Sequence, residues 1–475
     1  MKCRSVFSVL MLSSLTCCNF APKYEAPDLP LPTTWRTDTE EKEDLAIGNW
    51  WENLGDEVLN DLIVTALKNN KDLQVAIWRV SQYLSQYTVA RSGLYPQASV
   101  GGAAYKERLP VNENFLQSLG ISSITPEYQL NLSLAYELDF WGSIRNTAAA
   151  AHAQYLAQIE NRRTVVLTLI GSVAEAYVYL RQLDLQLEIS KNILTTRAES
   201  LQIARYRFEG GVTSEIEVEQ AISVYEEAIA SVRELERQIP MQENLLSVLL
   251  GRGPGPIARG KSLSDLILPS KVPSGMPSDL LTRRPDILRA ENNLLAANAN
   301  IGVARAAFFP QVNLATICGV SSLHIKTLFD NSSKTWSTGG SFLENIFTGG
   351  SLTGQLQIAR AQKQEMVFSY EQTILTALAE VDDSLISLQK SKEIFAADKA
   401  DVEALQRYLV LAWYQYYEGQ TQYLTVLDAE RSVFTAKINA VTAEADQFFY
   451  LINLYKALGG GWVVEADDHL LAEGQ

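Results

Sequence analysis

Two periodicities alternate along this chain. Tyr128, Leu130, Leu132, Leu134, Tyr136, Leu138 and Phe140 stand at every second position, with Gln129, Asn131, Ser133, Ala135, Glu137 and Asp139 between them. Successive side chains of a strand point to opposite faces, so the run predicts a strand with one apolar and one polar face. It spans 13 residues, more than the roughly 9–11 of a tilted transmembrane strand. Gln97–Lys106, Gln311–Leu323 and Lys334–Ile346 repeat the alternation more weakly and carry several glycines. A half-buried strand of a soluble sheet alternates in the same way, so periodicity leaves both readings open.

The second periodicity is seven. Val166, Val173, Leu180, Leu187, Leu194, Leu201 and Phe208 keep that spacing, as do Ile374, Val381, Leu388, Phe395, Val402, Leu409 and Tyr416. Such a repeat predicts long helices that wrap left-handedly around neighbours. The position three residues on is mixed (Leu169, Ala176, Leu183, then Ser190, Arg197, Ala204), which fits a seam among several helices. No proline occurs from Ser143 to Gln238, so Ser143–Phe208 predicts a helix of about 100 Å. Glu209-Gly210-Gly211 and Glu418-Gly419 predict its end and that of its counterpart, and tight reversals follow. Ser214 and Glu217 have capping-box spacing, and Thr421 stands ready to cap the second reversal. Shorter helical stretches, Asp56–Tyr95 and Ser278–Phe309, precede the strands and stop at Pro96 and Pro310.

The chain is written twice. Ala76, Val89, Ala90, Arg91, Pro96 and Gln97 recur 214 positions later as Ala290, Val303, Ala304, Arg305, Pro310 and Gln311. From residue 142 the offset is 208: Ala204, Tyr206, Gly211, Thr213, Val218 and Ala221 match Ala412, Tyr414, Gly419, Thr421, Val426 and Ala429. A shared offset over so long a stretch reads as a duplicated half, too long for a solenoid repeat. The expected organisation is a signal peptide (1–17), an N-terminal extension (18–55), a first repeat (56–251), a link (252–277), a second repeat (278–459) and a tail (460–475).

Lys2 and Arg4 followed by the short apolar run Val6–Leu15 predict a targeting segment, too short to span a bilayer. Leu15-Thr16-Cys17-Cys18 then resembles a bacterial lipoprotein signal, cut before Cys17 or Cys18 and acylated there. An ordinary secretory signal with incidental cysteines is the other reading. No later stretch reaches 18 apolar residues without a charge; the nearest, Thr164–Leu180, contains Glu175. Any membrane crossing is therefore expected through strands. Net charge is −15, which argues against nucleic acid. Four cysteines and three scattered histidines (His152, His324, His469) lack ligand spacing, so no metal and no cofactor is expected.

Two strands per half make four per chain, and closed barrels need about eight. Open edges cannot sit in lipid, so a membrane role requires several copies. At this point the chain resembles the TolC/OprM-type outer-membrane efflux channels, in their NodT-like lipoprotein branch. Cys18-Asn19-Phe20-Ala21-Pro22-Lys23-Tyr24, Trp50-Trp51, Arg283-Arg284-Pro285-Asp286-Ile287, Ile301-Gly302-Val303-Ala304 and Ala457-Leu458-Gly459-Gly460-Gly461-Trp462 carry the resemblance. It favours Cys18 as the lipidated residue. It implies a membrane α+β fold: a homotrimer with a 12-stranded transmembrane β-barrel, continued by a long 12-helix periplasmic α-barrel. It implies a passive duct in the outer membrane for small toxic compounds or drugs, anchored to outer-membrane lipids. An inner-membrane pump supplies energy, and a periplasmic adaptor (membrane fusion) protein docks on the helix tips Gly210, Gly211, Val212, Thr213, Ser214, Gly419, Gln420 and Thr421. By the same resemblance Tyr416 and Asp428 form the periplasmic gate. Thr425 stands where other members have a second aspartate.

Three other readings compete: a duct for type I protein secretion, a structural lipoprotein stalk, and an enzyme. Ser387-Leu388-Gln389-Lys390 has a Ser-x-x-Lys pattern but lies inside a heptad segment with no supporting motif. Gly251-Arg252-Gly253-Pro254-Gly255 follows a helix and contains proline, which does not suit a phosphate loop. A non-enzyme is the expectation.

Overall fold

The computed structural model describes residues 19–37, 49–108, 124–269 and 275–460. The signal segment, Cys18 and residues 461–475 of the tail lie outside the described residues. In chain order come α1 (Glu57–Asn69), α2 (Lys71–Ser92), β1 (Gln97–Arg108), β2 (Ile124–Glu137), α3 (Ser143–Glu209) and α4 (Glu215–Leu249). After the link come α5 (Pro285–Ala306), β3 (Gln311–Ser322), β4 (Lys334–Leu343), α6 (Ser351–Tyr417) and α7 (Tyr423–Ala457). Helices α3 and α6 both have 67 residues, and α4 and α7 both have 35, so the duplication in sequence is a duplication of elements.

The stretch expected as one helix over Asp56–Tyr95 is two. Asp56 caps α1 by accepting from the amides of Val58 and Leu59 at 2.9 and 3.3 Å. The helix then stops at Asn70, which takes an extended ψ of 132°. Its side chain starts α2 instead, accepting from the Leu73 amide at 3.0 Å. The second half breaks likewise. A short turn over Leu280–Arg283 ends at Arg284, whose ψ is 119°. The residue before a proline is pushed out of the helical region, and Pro285 opens α5.

The four strands form one antiparallel sheet in the order β1-β2-β3-β4. Asn131 pairs with Gly101 on β1 and Gly319 on β3, while Leu132 pairs with Val100 and Cys318. Because paired residues share a face, one face carries Val100, Leu132, Cys318 and Trp336, and the other carries Gly101, Asn131, Gly319 and Thr335. On the polar face Glu127 accepts from Tyr105, Gln129 and Ser321. The apolar face is bare in the single chain: Val100 is 73% exposed and Trp336 78%. Among the described residues, β1 and β4 each keep one edge without a strand partner.

Contacts divide the chain into two compact units, each drawn from both halves. The first comprises Met1–Asp28, Arg79–Gln158 and Ala290–Tyr370. It holds the sheet and a close contact of Ala150 and Ala153 on α3 with Ala296 and Ala299 on α5. Its N-terminal strand-like strap runs against α5. The Phe20 ring stacks on Trp141 and Phe309, with centroids 6.1 and 4.6 Å away. The Phe20 and Pro22 carbonyls accept from Arg305 and Asn298, and the Tyr24 hydroxyl donates to Glu291 at 3.1 Å. A Cβ at Gly302 would lie 2.9 Å from the Ala21 side chain, so only glycine lets the strap lie this close.

The second unit comprises Leu29–Trp78, Ile159–Arg289 and Glu371–Gln475. Tyr177 is fully buried. Its hydroxyl donates to Asp56 at 2.9 Å and accepts from the Gly260 amide at 2.9 Å, tying α3 to the start of α1 and to the link. Trp50 stacks on Tyr455 of α7 at 4.9 Å. One 18-residue window of α3 has a mean hydropathy of 1.3, enough to cross a membrane by composition, but 61% of that window is buried. Core packing accounts for its apolar character.

Candidate functional site

Both reversals between long helices are built alike. The Gly211 amide donates to Phe208 O and the Val212 amide to Arg207 O, each at 2.8 Å. At the second tip the Gly419 amide donates to Tyr416 O at 3.0 Å and the Gln420 amide to Gln415 O at 2.8 Å. This is the Schellman pattern, and it needs the left-handed φ of 72° at Gly211 and 71° at Gly419. Val212 and Ile216 stand out on one hairpin, Tyr417 and Leu424 on the other, all more than half exposed.

The caps differ from expectation. Ser214 is the N-cap residue of α4, but its side chain makes no capping bond. Glu217, its expected partner, accepts instead from the Tyr416 hydroxyl at 2.7 Å. The N-cap of α7 is Gln422, and the Thr421 hydroxyl donates to Thr425 at 2.9 Å.

Tyr416 is buried in an apolar cluster with Leu201, Ala204, Val218, Ala412, Tyr423 and Val426. The rings of Trp413, Tyr417 and Tyr423 lie within 6 Å of its own. The Arg207 guanidinium sits 4.8 Å above the ring. Burial pushes the Tyr416 phenol far up from its ordinary pKa, and the bond to Glu217 pushes it further. It stays a donor at every physiological pH. Through Glu217 and Tyr416 the two hairpins of one chain are joined.

Asp428 is placed differently. Its carboxylate is 55% exposed, with Arg431 at 3.5 Å. It lines a groove of about 590 Å³ together with Gln220, Glu227, Tyr408 and Thr425. Tyr416 therefore turns into the packed tip while Asp428 meets open space.

A family model described as "Outer membrane efflux protein" matches residues 62–252 and 276–460. The chain belongs to the outer membrane efflux protein family. Over 454 residues it is 38% identical to the antibiotic efflux pump outer membrane protein ArpC of Pseudomonas putida, covering 94% of this chain and 93% of that one. It is 32% identical over 455 residues to the cation efflux system protein CusC of Escherichia coli, covering 94% and 97%. Among solved structures it is similar to the open state of the MtrE outer membrane channel of Neisseria gonorrhoeae, with a TM-score of 0.83, 30% identity and coverage of 94% and 98%.

As an outer membrane efflux protein the chain crosses the outer membrane by strands and extends into the periplasm by helices. The two-faced sheet suits that placement. One face is apolar and bare and the other carries the Glu127 network, the division that a strand between lipid and water requires. Among the described residues there is no group of three or more metal-ligating side chains. Sequence reasoning gave Glu217 a capping role that it does not take, and it missed Arg207.

Proposed function

We propose that three copies of this efflux protein close one twelve-stranded barrel and one twelve-helix tunnel. Together they form the outer-membrane exit duct of a tripartite system. The observation that carries this reading is the sheet. It has four strands, one apolar face and two edges without partners. Such edges cannot remain open in lipid, and three copies of four strands supply twelve. Energy comes from an inner-membrane pump, linked by a periplasmic adaptor docked on Gly210–Ser214 and Gly419–Thr421. The exposed Val212, Ile216, Tyr417 and Leu424 beside those turns give the adaptor apolar contact area. The relatives are named as outer membrane proteins of efflux pumps, which favours efflux over protein secretion or a passive stalk. The chain performs no catalysis in this reading.

The gate belongs to the helix tips. Tyr416, held by Glu217, keeps the α6–α7 hairpin packed on α4, and three copies of Asp428 place an acidic ring at the narrow end. The test is conductance of the purified full-length protein in a planar bilayer, with crosslinking in mild detergent. The expected result is a small, cation-preferring conductance and crosslinking that stops at three chains. A monodisperse monomer that leaves the bilayer silent overturns the proposal.

A further inference from the structure

Four polar side chains are packed out of water where α7 crosses α3 and α4. Arg197 is 2% exposed, Tyr423 2%, Ser200 6% and Glu430 8%. The Arg197 guanidinium donates to Val224 O at 2.7 Å, lies 3.6 Å from the Glu227 carboxylate, and sits 5.6 Å over the Phe434 ring. Ser200 donates to one Glu430 oxygen at 3.4 Å. The other Glu430 oxygen, the Tyr423 hydroxyl and the Arg197 Nε have no hydrogen-bond partner among the described residues. A buried carboxylate with half its acceptors empty is costly to keep ionised.

The duplication supplies its own control. At the same place in the first repeat, 208 positions earlier, Glu430 corresponds to Ile222. Arg197 corresponds to Leu405 in the second repeat, and Ser200 to Tyr408. The equivalents are less enclosed in the single chain: Ile222 and Leu405 are half-buried and Tyr408 is exposed, so the burial of a carboxylate is particular to the second repeat.

We propose that Glu430 is a proton-controlled latch between the two hairpins of one protomer: neutral, it lets α7 pack on α3 and α4, and ionised, it favours their separation. The proposal rests on the channel reading above. The titratable groups around Glu430 are Arg197 on α3 and, behind it, Glu227 on α4. Tyr423 stands two turns earlier on α7, with Tyr416 on α6 and Glu217 on α4 beyond it. Burial raises the Glu430 carboxyl above its ordinary range, and the opposing pull of Arg197 and Ser200 does not cancel this. The sign follows from linkage. A carboxyl whose pKa is higher in the packed state stabilises that state at acid pH. That stabilisation is lost as pH rises from the ordinary carboxylate value through the raised one. Swinging the α6–α7 hairpin away returns Glu430 to water, so opening releases a proton and is favoured at higher pH.

The experiment is single-channel conductance of the full-length protein in a planar bilayer from about pH 5 to about pH 8. One unit of pKa difference between closed and open states changes their ratio by up to about tenfold. The expected wild-type result is an open probability at least about threefold higher at the alkaline end. Glu430→Gln should stay at the acid-side value throughout. The double variant Arg197→Leu with Glu430→Ile, which copies the residues of the opposite repeat, should fold, assemble and be equally flat. It decides the matter where the single variant does not assemble. A wild type that conducts while these variants keep its pH response overturns the latch alone. A wild type that never conducts overturns the channel reading and the latch with it.

Discussion

Asn70 and Arg284 occupy equivalent places in the two repeats and make the same contact with different chemistry. The Asn70 amide donates to Leu249 O at 2.9 Å, and the Arg284 guanidinium donates to Ala457 O at 2.8 Å. Each closes the last turn of a return helix, and each interrupts the helix it sits in. Beside them Gly251 and Gly459, with φ of 69° and 90°, end the return helices. A Cβ on Gly251 would lie 2.2 Å from Asn69 O, and one on Gly459 3.2 Å from Arg283 O. Arg284 goes further than Asn70, binding Asp286 through two nitrogens and Glu380 at 2.7 Å.

The two residues should therefore differ in weight. Arg284→Ala leaves a helix-end carbonyl and the Asp286 carboxylate without their buried donor, and costs about 3–5 kcal/mol. Asn70→Ala removes one neutral bond and one cap, and costs about 1–2 kcal/mol. Thermal unfolding followed by circular dichroism should rank wild type, Asn70→Ala and Arg284→Ala in descending order. The reverse order would show that the charged network adds nothing.

Cys318 reports which face of the sheet meets lipid. It is exposed in the single chain and shares its face with Leu132 and Trp336. In proteoliposomes a membrane-permeant maleimide should label it and a charged maleimide should not. A Gly319→Cys variant moves the thiol to the opposite face, although a Cβ there would lie 2.2 Å from Leu130 O. Ser337→Cys, paired across from Ile317, is the gentler way to put a thiol on that polar face. It should react with the charged reagent. Equal labelling at both positions contradicts a lipid-facing Cys318.

At the tip, Tyr416→Phe keeps the ring and removes the donor to Glu217. It should raise conductance about tenfold or more, the loss of a hydrogen bond to a charged group being worth roughly 1.5–3 kcal/mol. Asp428→Ala should reduce cation preference and leave the packing intact, because the carboxylate is more than half exposed. Ion selectivity measured from reversal potentials separates the two effects. If Asp428→Ala preserves the preference, the acidic ring lies elsewhere.

The anchor is testable by mass spectrometry of the mature N-terminus, which should show an acylated Cys18. The strap that follows it is held by Phe20, Arg305, Asn298 and Glu291. Phe20→Ala should lower the melting temperature of the assembled protein through loss of about 2 kcal/mol of stacked aromatic contact. Cys18→Ser should retain much of the activity, because the barrel already holds the chain in the membrane. An unmodified Cys18 removes the anchor.

Much of the architecture was legible because it rests on period. The two-residue alternation around Leu130–Leu134 and the seven-residue spacing around Val173–Leu180 reflect the two faces of a sheet and the seam between neighbouring helices. The tip glycines were legible because a left-handed φ leaves little choice of residue. The break at Asn70 was not, because that side chain is held by the Leu249 carbonyl, far away in sequence; the break at Arg284 had a local signal in Pro285 that the single-helix reading passed over. The expected capping box failed for a related reason. Glu217 has two acceptors within reach of competing donors, and a hydroxyl from the other hairpin outcompetes the local amide. The Ser200–Glu430 bond joins residues from different repeats, and local pattern carries no trace of such a pairing.

The bare edges of β1 and β4 have a genetic consequence. On the proposed trimeric reading a chain completes its sheet only with its partners, so a defective copy made beside a sound one would enter the same ring. A proline in the middle of β4 removes the donors of one edge but leaves the β1 edge able to recruit a partner. Such an allele would be dominant, poisoning assemblies that contain normal chains. A truncation that deletes both hairpins could not join and would be recessive.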